Sequence, residues 1–258
     1  MLLFFTLLIL PIKLETSKLD LDIIIDGVEY KKYDLKNFSK YEGELHIFRI
    51  NPIKVKPEVY TSKEYNIQPL TAAEWCKRFN LNIATNLGMY HKDFSTHVGY
   101  LRKENYINNP TFNTYKSLLL MDPTDKDLPY TTIADIDKES EKELMNKYKT
   151  VVQNLRLIKG KRINVWKKTN QLWPEAGIGI DSKNNIIIFF TATPITIFEL
   201  NEILLKIPMD IIKAFHTEGG PPASLSVHIK DFHLDLSGNI TSNTQEPIPN
   251  ILGFRIQR

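Results

Sequence analysis

The chain has 258 residues, of which 42% are hydrophobic, and its 33 Lys and Arg against 30 Asp and Glu give a formal net charge of +3 at pH 7. This composition is typical of a folded globular protein and excludes fibrous and disordered classes. The weak positive charge, without a long basic block, predicts no nucleic-acid partner, and the length allows a core without disulfides, in agreement with the single cysteine.

The first element in chain order is an uncharged apolar run, MLLFFTLLILP, which ends before Lys13. A helix needs about twenty apolar residues to cross a bilayer, so the run predicts no stable transmembrane span. Its length fits the hydrophobic region of a signal peptide, which predicts an exported protein that is periplasmic, envelope-associated or secreted. A buried N-terminal strand is the alternative. We therefore divide the chain into an N-terminal apolar segment, 1–18, and a single domain, 19–258.

The next segments carry both strand and helix signals. A hairpin is predicted around Asp26-Gly27 in LDIIIDGVEY, followed by strands in ELHIFRI and in NPIKVKPEVY, whose prolines confine it to an edge or to strand ends. In TAAEWCKRFN, Thr71 and Glu74 form the capping-box pattern that starts a helix. Cys76 shares the apolar face of this helix, so we interpret it as a buried residue and not as a nucleophile.

Strand signals dominate the remainder of the chain. LNIATNLGMY and KSLLLMD are predicted strands, a charged helix is predicted between Asp135 and Tyr148, and four strands follow in VVQNLRLI, KRINVW, EAGIGID and NNIIIFFTA. A second capping box, Thr196 with Glu199, predicts a helix in TIFELNEILLKIP, and PIPNILGFRIQR supplies a last strand. Many strands with few helices predict an α/β protein of the α+β type, with a mixed, mainly antiparallel β-sheet core and a few helices packed on it.

Two polar, glycine-rich stretches stand where apolar strands end. One is NLGMYHKDFSTHVGY, with Asn86 and His91, and the other is HTEGGPPAS, with His216 and Glu218. Glycine at a strand end marks a tight turn or a place where a ligand approaches the backbone. Each stretch is also compatible with a plain connection between strands. Glu218 is harder to explain in that way, because apolar segments flank it and a partly buried carboxylate needs a partner or a use.

Two pairs of histidines are candidate metal ligands by residue type. The spacing of His91 with His97, and of His228 with His233, matches no zinc pattern, and lone histidines in strands are more often structural. The sequence therefore predicts no metal site and no cofactor, and it leaves assistance by a divalent cation open.

Five motifs occur in a characteristic order along the chain. They are Asn86, Gly88, Met89 and Tyr90 after a helix and a strand; Val98, Gly99 and Tyr100; a strand led by Gln153 with a hairpin at Gly160; Ala176-Gly177-Ile178-Gly179; and Glu218-Gly219-Gly220. In this order they resemble the phosphodiester glycosidase family over roughly Leu45 to Ile256, and the Glu-Gly-Gly-Pro turn resembles a bacterial-type branch of it. Many relatives carry Asp-Gly-Gly-Gly-Ser-Ser at that turn and Arg-Thr where this chain has Pro174-Glu175.

The resemblance implies a hydrolase that releases a sugar from a sugar-1-phosphodiester in a glycan or cell-envelope polymer. Its leaving group is a phosphomonoester with a last pKa of about 6, so one carboxylate acting as nucleophile or as base for water can suffice. The residues expected to act are catalytic Glu218, Asn86 and His216, with substrate contacts from Gly88, Tyr90, His91, Gly99, Arg156, Gly219, Gly220 and Ser224.

The sequence leaves two other functions open. A carbohydrate-binding or envelope-associated protein that keeps the fold without turnover is favoured a little by the altered Pro174-Glu175 site. A metal-dependent phosphodiesterase that cuts the P–O bond is the other alternative. The expected partner in each case is a sugar-phosphate or glycan.

Overall fold

The computed structural model describes residues 21–137 and 140–256, so the apolar N-terminal segment lies outside the described residues. The strands are β1 (Asp22–Ile25), β2 (Val28–Asp34), β3 (Glu44–Ile50), β4 (Val55–Thr61), β5 (Ile83–Asn86), β6 (Leu101–Lys103), β7 (Tyr106–Asn109), β8 (Ser117–Pro123), β9 (Thr131–Asp135), β10 (Tyr148–Lys159), β11 (Ile163–Asn164), β12 (Trp173–Asp181), β13 (Ile186–Ile195), β14 (Ile211–Gly219), β15 (Ser224–Ile229), β16 (Phe232–Ser237) and β17 (Asn250–Ile256). The helices are α1 (Ala72–Phe79), α2 (Glu141–Lys147) and α3 (Ile197–Lys206).

Two antiparallel sheets form the described part of the chain. The larger runs in the order β1-β2-β3-β13-β12-β14-β10-β6-β7, with β8 and β11 also paired to β10, and β9 paired to β8. The smaller runs in the order β16-β15-β5-β17-β4. Its edge strand β4 contains Pro57, as the prolines of that segment predict. The predicted α+β fold class with a mainly antiparallel core is confirmed.

The main core lies between the two sheets, and a second core lies between the larger sheet and α3. Strand β13 contributes to both because its side chains alternate between faces. Ile188 and Phe190 pack with apolar residues of the smaller sheet, whereas Ile187 and Phe189 pack with Leu200 and its neighbours in α3. Burial of each such side chain contributes about 1.5–3 kcal/mol, so a strand covered on both faces requires the continuous apolar run seen here.

Side-chain caps start α1 and α3, the two helices for which the sequence has a capping-box pattern. Thr71 Oγ1 accepts from Glu74 N at 3.2 Å, and Glu74 Oε2 accepts from Thr71 N at 2.9 Å, which completes the capping box of α1. At α3, Thr196 Oγ1 accepts from Glu199 N at 3.2 Å. Cys76 is buried in α1, and burial raises the pKa of its thiol to about 12. Within the described ranges, none of the helices combines the length and the apolar character needed to span a bilayer.

Two predicted elements are shorter in the structure. The charged helix predicted between Asp135 and Tyr148 is limited to α2, because the residues at both ends of the predicted span belong to strands. Asp135 closes β9, which pairs with β8, and Tyr148 opens β10. The strand predicted in KRINVW is reduced to Ile163–Asn164, where the Asn164 side chain accepts a hydrogen bond from Trp166 N and ends the regular pairing. Val165 N still donates to Leu157 O of β10 at 3.2 Å.

Candidate active site

The chain passes from the larger sheet to the smaller one through the turn 220–223, between β14 and β15. Gly220 has a φ of +71°, a left-handed conformation that costs a residue with a Cβ about 1–2 kcal/mol. Its N–H donates to Pro174 O at 2.9 Å, which fixes the turn against β12. The second glycine of the HTEGG sequence is therefore required by the backbone.

Asn86, the last residue of β5, holds the smaller sheet to this turn. Its Nδ2 donates to Pro222 O at 3.0 Å, and its Oδ1 accepts from Ser224 N at 2.7 Å. Asn86 and Ser224 are both buried, and the Ser224 hydroxyl donates to Pro222 O at 3.1 Å. The carboxamide of Asn86 is thus oriented by the backbone of the turn, and the role most directly supported by these contacts is to position it.

Glu218 lies partly buried at the end of β14, directly before the turn. Its Oε1 accepts from Gly219 N at 3.1 Å. Burial raises the pKa of the Glu218 carboxyl, against the opposing effect of the His216 charge and the Gly219 hydrogen bond. The amides of Gly219 and Gly220, both expected to contact substrate, are therefore engaged with Glu218 and Pro174 in this conformation.

Two tyrosines share the surroundings of Glu218. Burial raises the pKa of Tyr90 to about 12, and the charge of Glu218 is the next largest cause. Burial and then the Glu218 charge likewise raise the pKa of Tyr115. The loop that carries Tyr115 is held by Gln153, whose Nε2 donates to Tyr115 O at 2.8 Å. The charge of Glu218 thus acts on a tyrosine in the loop after Asn86 and on a tyrosine in the loop before β8, and it favours the protonated form of both hydroxyls.

A second carboxylate, which we did not predict, lies next to His216. Glu175 Oε2 is 2.9 Å from His216 Nε2, and their side chains are only 2% and 8% exposed. Burial raises the pKa of Glu175, although the bond to His216 opposes it. Burial disfavours charge on His216, but the bond to Glu175 and the charges of Glu175 and Glu218 outweigh it and raise the pKa of His216. Between these two pKa values the pair is a buried ion pair.

The sequence carried a signal for Glu175. It is the one charged residue between Trp173 and Ile180, in a run that is otherwise apolar or glycine. A charge in a buried strand requires a partner. Its partner follows from the pairing of β12 with β14, in which Glu175 lies opposite Gly219 and Gly177 opposite His216. That register is not readable from the sequence.

Glycine and an exposed tryptophan border the ion pair. A Cβ on Gly219 would lie 3.3 Å from His216 Nε2 and 3.5 Å from both carboxylate oxygens of Glu175. Trp173 is 55% exposed, and its ring comes 3.4 Å from the position of a Cβ on Gly220. Gly219 therefore lies directly against the ion pair, where a larger side chain would crowd it. The indole of Trp173 forms an apolar surface beside Gly220.

Gly88 and Gly99 have packing roles. A Cβ on Gly88 would lie 2.2 Å from Asn154 Oδ1, and one on Gly99 would lie 2.5 Å from Gln153 O. His97 lies against Gly88 and is buried, and burial lowers its pKa to about 4, so it is neutral. His91 is exposed in the loop that follows, where its backbone N–H donates to Thr96 O.

Arg156 is engaged away from Glu218. Its Nη1 lies 2.6 Å from Asp137 Oδ1 and 3.4 Å from Asp135 Oδ1, and its side chain is 12% exposed. In β10 it lies opposite Phe215, while Leu155 lies opposite His216. The guanidinium expected to contact phosphate is therefore paired with two carboxylates in the structure.

Neither a metal-ligand cluster nor the groove beside Asn82 coincides with this site in the described residues. Within residues 21–137 and 140–256, no three His, Cys, Asp or Glu side chains are grouped as metal ligands. His228 pairs with Asp235 at 3.0 Å, and His233 contacts Lys230 O at 2.8 Å. A groove of about 780 Å³ lies beside Asn82, at the end of β5 opposite Asn86, and Glu218 does not line it.

The fold and the site define a β-rich protein in which a carboxylate and a buried carboxylate–histidine pair lie where the chain crosses from one sheet to the other. Residues 79–255 match the family model described as phosphodiester glycosidase, which covers more than half of the chain. The chain therefore belongs to the phosphodiester glycosidase family, as the ordered motifs predict. No curated protein sequence matches it.

Solved structures share the fold at low sequence identity. The catalytic domain of zebrafish N-acetylglucosamine-1-phosphodiester alpha-N-acetylglucosaminidase, auto-inhibited by its pro-peptide, is 12% identical with a TM-score of 0.63, over 90% of this chain and 82% of that one. A hypothetical protein from Synechocystis is 10% identical with a TM-score of 0.63, over 90% of this chain and 62% of that one. A protein of Burkholderia pseudomallei, provisionally described as exported, is 8% identical with a TM-score of 0.50, over 83% of this chain and 74% of that one.

Proposed function

We propose that this protein hydrolyses a sugar-1-phosphodiester at the anomeric carbon and so releases a sugar from a glycan or cell-envelope polymer. The observation that carries the proposal is Glu218, a partly buried carboxylate with a raised pKa, placed at the acidic-Gly-Gly turn in a chain of this family. A general base works best when its pKa approaches the working pH, so burial makes Glu218 a better base than an exposed glutamate.

The chemistry of the leaving group suits a site in which a single carboxylate, Glu218, performs the reaction. A phosphomonoester leaves with a pKa of about 6, so it needs little protonation, and the carboxylate can attack the anomeric carbon or activate water there. Tyr90 and Tyr115, kept protonated by their raised pKa values, are the hydroxyl donors we assign to substrate oxygens. Asn86 positions the turn, and His216 is the neighbouring cation whose charge acts on the Glu218 carboxylate.

The test is sugar release from a panel of sugar-1-phosphodiesters. We expect Glu218→Gln to lower turnover by at least about a hundredfold, as loss of a catalytic acid or base does. Glu104→Gln, an exposed glutamate in a turn, is the matched control and should retain full activity. A folded Glu218→Gln variant that turns over at the wild-type rate would show that another group performs the reaction.

Isotopic labelling locates the bond that breaks. In ¹⁸O-labelled water, cleavage of the C–O bond places the label in the sugar, whereas cleavage of the P–O bond places it in the phosphate. Label in the phosphate would replace the glycosidase proposal with a phosphodiesterase.

One observation favours a binding protein without turnover. Arg156 is paired with Asp135 and Asp137, so the guanidinium expected to contact the phosphate is engaged elsewhere. A binding protein would retain a sugar-1-phosphodiester unchanged after prolonged incubation, and the enzyme would consume it.

Export is the location we propose, on the apolar run MLLFFTLLILP at the start of the sequence. Fractionation of cells that express the full chain, with N-terminal sequencing of the recovered protein, tests it. Recovery from the cytoplasm with the apolar run still attached would contradict export.

A further inference from the structure

The buried pair of Glu175 and His216 is distinct from Glu218 because a β-bulge separates them. Ala176 lies opposite Glu218, whereas Gly177 lies opposite His216, so Thr217 is the extra residue of β14. A bulge interrupts the alternation of a strand and re-aims the side chains on either side of it. The bulge therefore allows Glu218 a direction different from that of His216, which contacts Glu175.

We propose that Glu175 is a positioning residue that holds His216 as an imidazolium beside Glu218 and so provides the cation that attracts the phosphate group of the substrate. This inference rests on the proposed function for its substrate. The ion pair itself rests on geometry alone, with 2.9 Å between Glu175 Oε2 and His216 Nε2, in side chains that are almost wholly buried.

The charges around His216 favour this assignment. The groups that act on its pKa are Glu175 from β12 and Glu218 from its own strand, while its register partner in β10 is the apolar Leu155. Among the described residues, the charged groups that act on Glu218 are again His216 and Glu175, and no Lys or Arg contributes. His216 is therefore the one cationic group that acts on Glu218 within the described residues, and we assign it to the phosphate of the substrate.

Three buried atoms at the pair have no hydrogen-bond partner. They are His216 Nδ1, Thr217 Oγ1 and Glu175 Oε2, which lies 2.9 Å from His216 Nε2 as an ion contact without the geometry of a hydrogen bond. An unpaired buried polar group costs about 1–3 kcal/mol and requires an explanation, such as a catalytic role or a bound ion. An imidazolium paired with Glu175 through Nε2 carries a second N–H at Nδ1, which has no acceptor in the structure.

The protonation of His216 sets the expected dependence on pH. Its pKa is raised, so the imidazolium is present below that pKa and is lost as the pH rises through it. Phosphate affinity should fall over the same pH range. Without Glu175, only the charge of Glu218 opposes the burial of His216, so the pKa of the ring falls and the phosphate affinity should be lower over the same pH range.

The decisive measurement is an NMR titration of the His216 imidazole in the full chain, wild type and Glu175→Gln. We expect the midpoint to fall by at least one pH unit in the variant, which is a tenfold loss of proton affinity. Asp235→Asn is the matched control, because it removes the carboxylate bonded to another histidine, His228, in the β15–β16 hairpin. That control should leave the His216 midpoint unchanged.

Binding of inorganic phosphate, followed by calorimetry at neutral pH, is the second readout. We expect about tenfold weaker binding in Glu175→Gln and no change in Asp235→Asn. With a phosphodiester substrate, the same variant should raise KM more than it lowers kcat. A purely structural role for Glu175 would lower stability without shifting either the His216 midpoint or the phosphate affinity.

The outcomes separate this inference from the proposed function. An unchanged His216 midpoint, or a lowered midpoint with unchanged phosphate affinity, overturns the inference whether or not the protein is active. Absence of turnover on every phosphodiester overturns the proposed function, while the titration and phosphate binding still decide the role of Glu175. If Glu175→Gln does not fold, Glu175→Asp, which keeps the charge with a shorter reach, should give an intermediate midpoint, and a wild-type midpoint would contradict us.

Discussion

The hold of Asn86 on the turn 220–223 leads to a quantitative stability prediction. Asn86→Ala removes two hydrogen bonds and leaves the N–H of the fully buried Ser224 without a partner. A typical bond contributes about 1 kcal/mol, and an unpaired buried donor costs about 1–3 kcal/mol. We therefore expect the free energy of unfolding to fall by about 2–4 kcal/mol.

Urea denaturation followed by tryptophan fluorescence measures this loss. Asn105→Ala, in an exposed turn, is the matched control and should change the free energy by less than about 0.5 kcal/mol. Asn86→Asp keeps the acceptor for Ser224 N but opposes a carboxylate to Pro222 O. It should lose stability at neutral pH and regain part of it in acid, where the protonated carboxyl can donate. An Asn86→Ala variant as stable as the control would refute the role given to Asn86.

Three further predictions concern packing and ionisation. Cys76, with a pKa raised to about 12, should resist thiol reagents in the native protein and react fully in guanidinium chloride; native reactivity would contradict its burial. Gly177→Ala would place a methyl 2.2 Å from Phe189 Cζ, so the free energy of unfolding should fall by about 1–3 kcal/mol, whereas Gly160→Ala, which requires only a small shift of the Asp135 carboxylate 3.3 Å away, should cost less in the same urea assay. The raised pKa of Glu218 means that the fold prefers its protonated form, and this contribution to stability is lost as the pH rises through the folded pKa. Glu218→Gln should therefore raise the melting temperature over wild type more at neutral pH than in acid, and a gap independent of pH would contradict the shift.

The parts of the fold that could be predicted are those with local signals. Thr71 and Glu74 predict the start of α1 because both partners of the capping box lie within one turn. The hairpin at Asp26-Gly27 was predictable for the same reason, and Gly27 has a φ of +89° there. At the site, the partial burial of Glu218 followed from the apolar segments on both sides of it.

The parts that could not be predicted depend on strand pairing. Glu175 contacts His216 only because β12 pairs with β14 in one particular register. The periodicity of a sequence predicts a strand but does not predict which strand it pairs with. The pairing of Arg156, which was expected to contact phosphate, with Asp135 was not readable from the sequence either. Asp135 marks the start of the span in which the charged helix is predicted, whereas in the structure it ends β9 and the helix begins at Glu141.

The position of the turn 220–223 between the sheets has a consequence for motion. Glu218 belongs to the larger sheet, whereas Tyr90 follows β5 of the smaller one. A ligand that contacts both residues bridges the two sheets, so the amide hydrogens of β14 and of β5 should both exchange more slowly with deuterium. A ligand that contacts one sheet alone would protect only that sheet, and the exchange pattern would identify which sheet binds it.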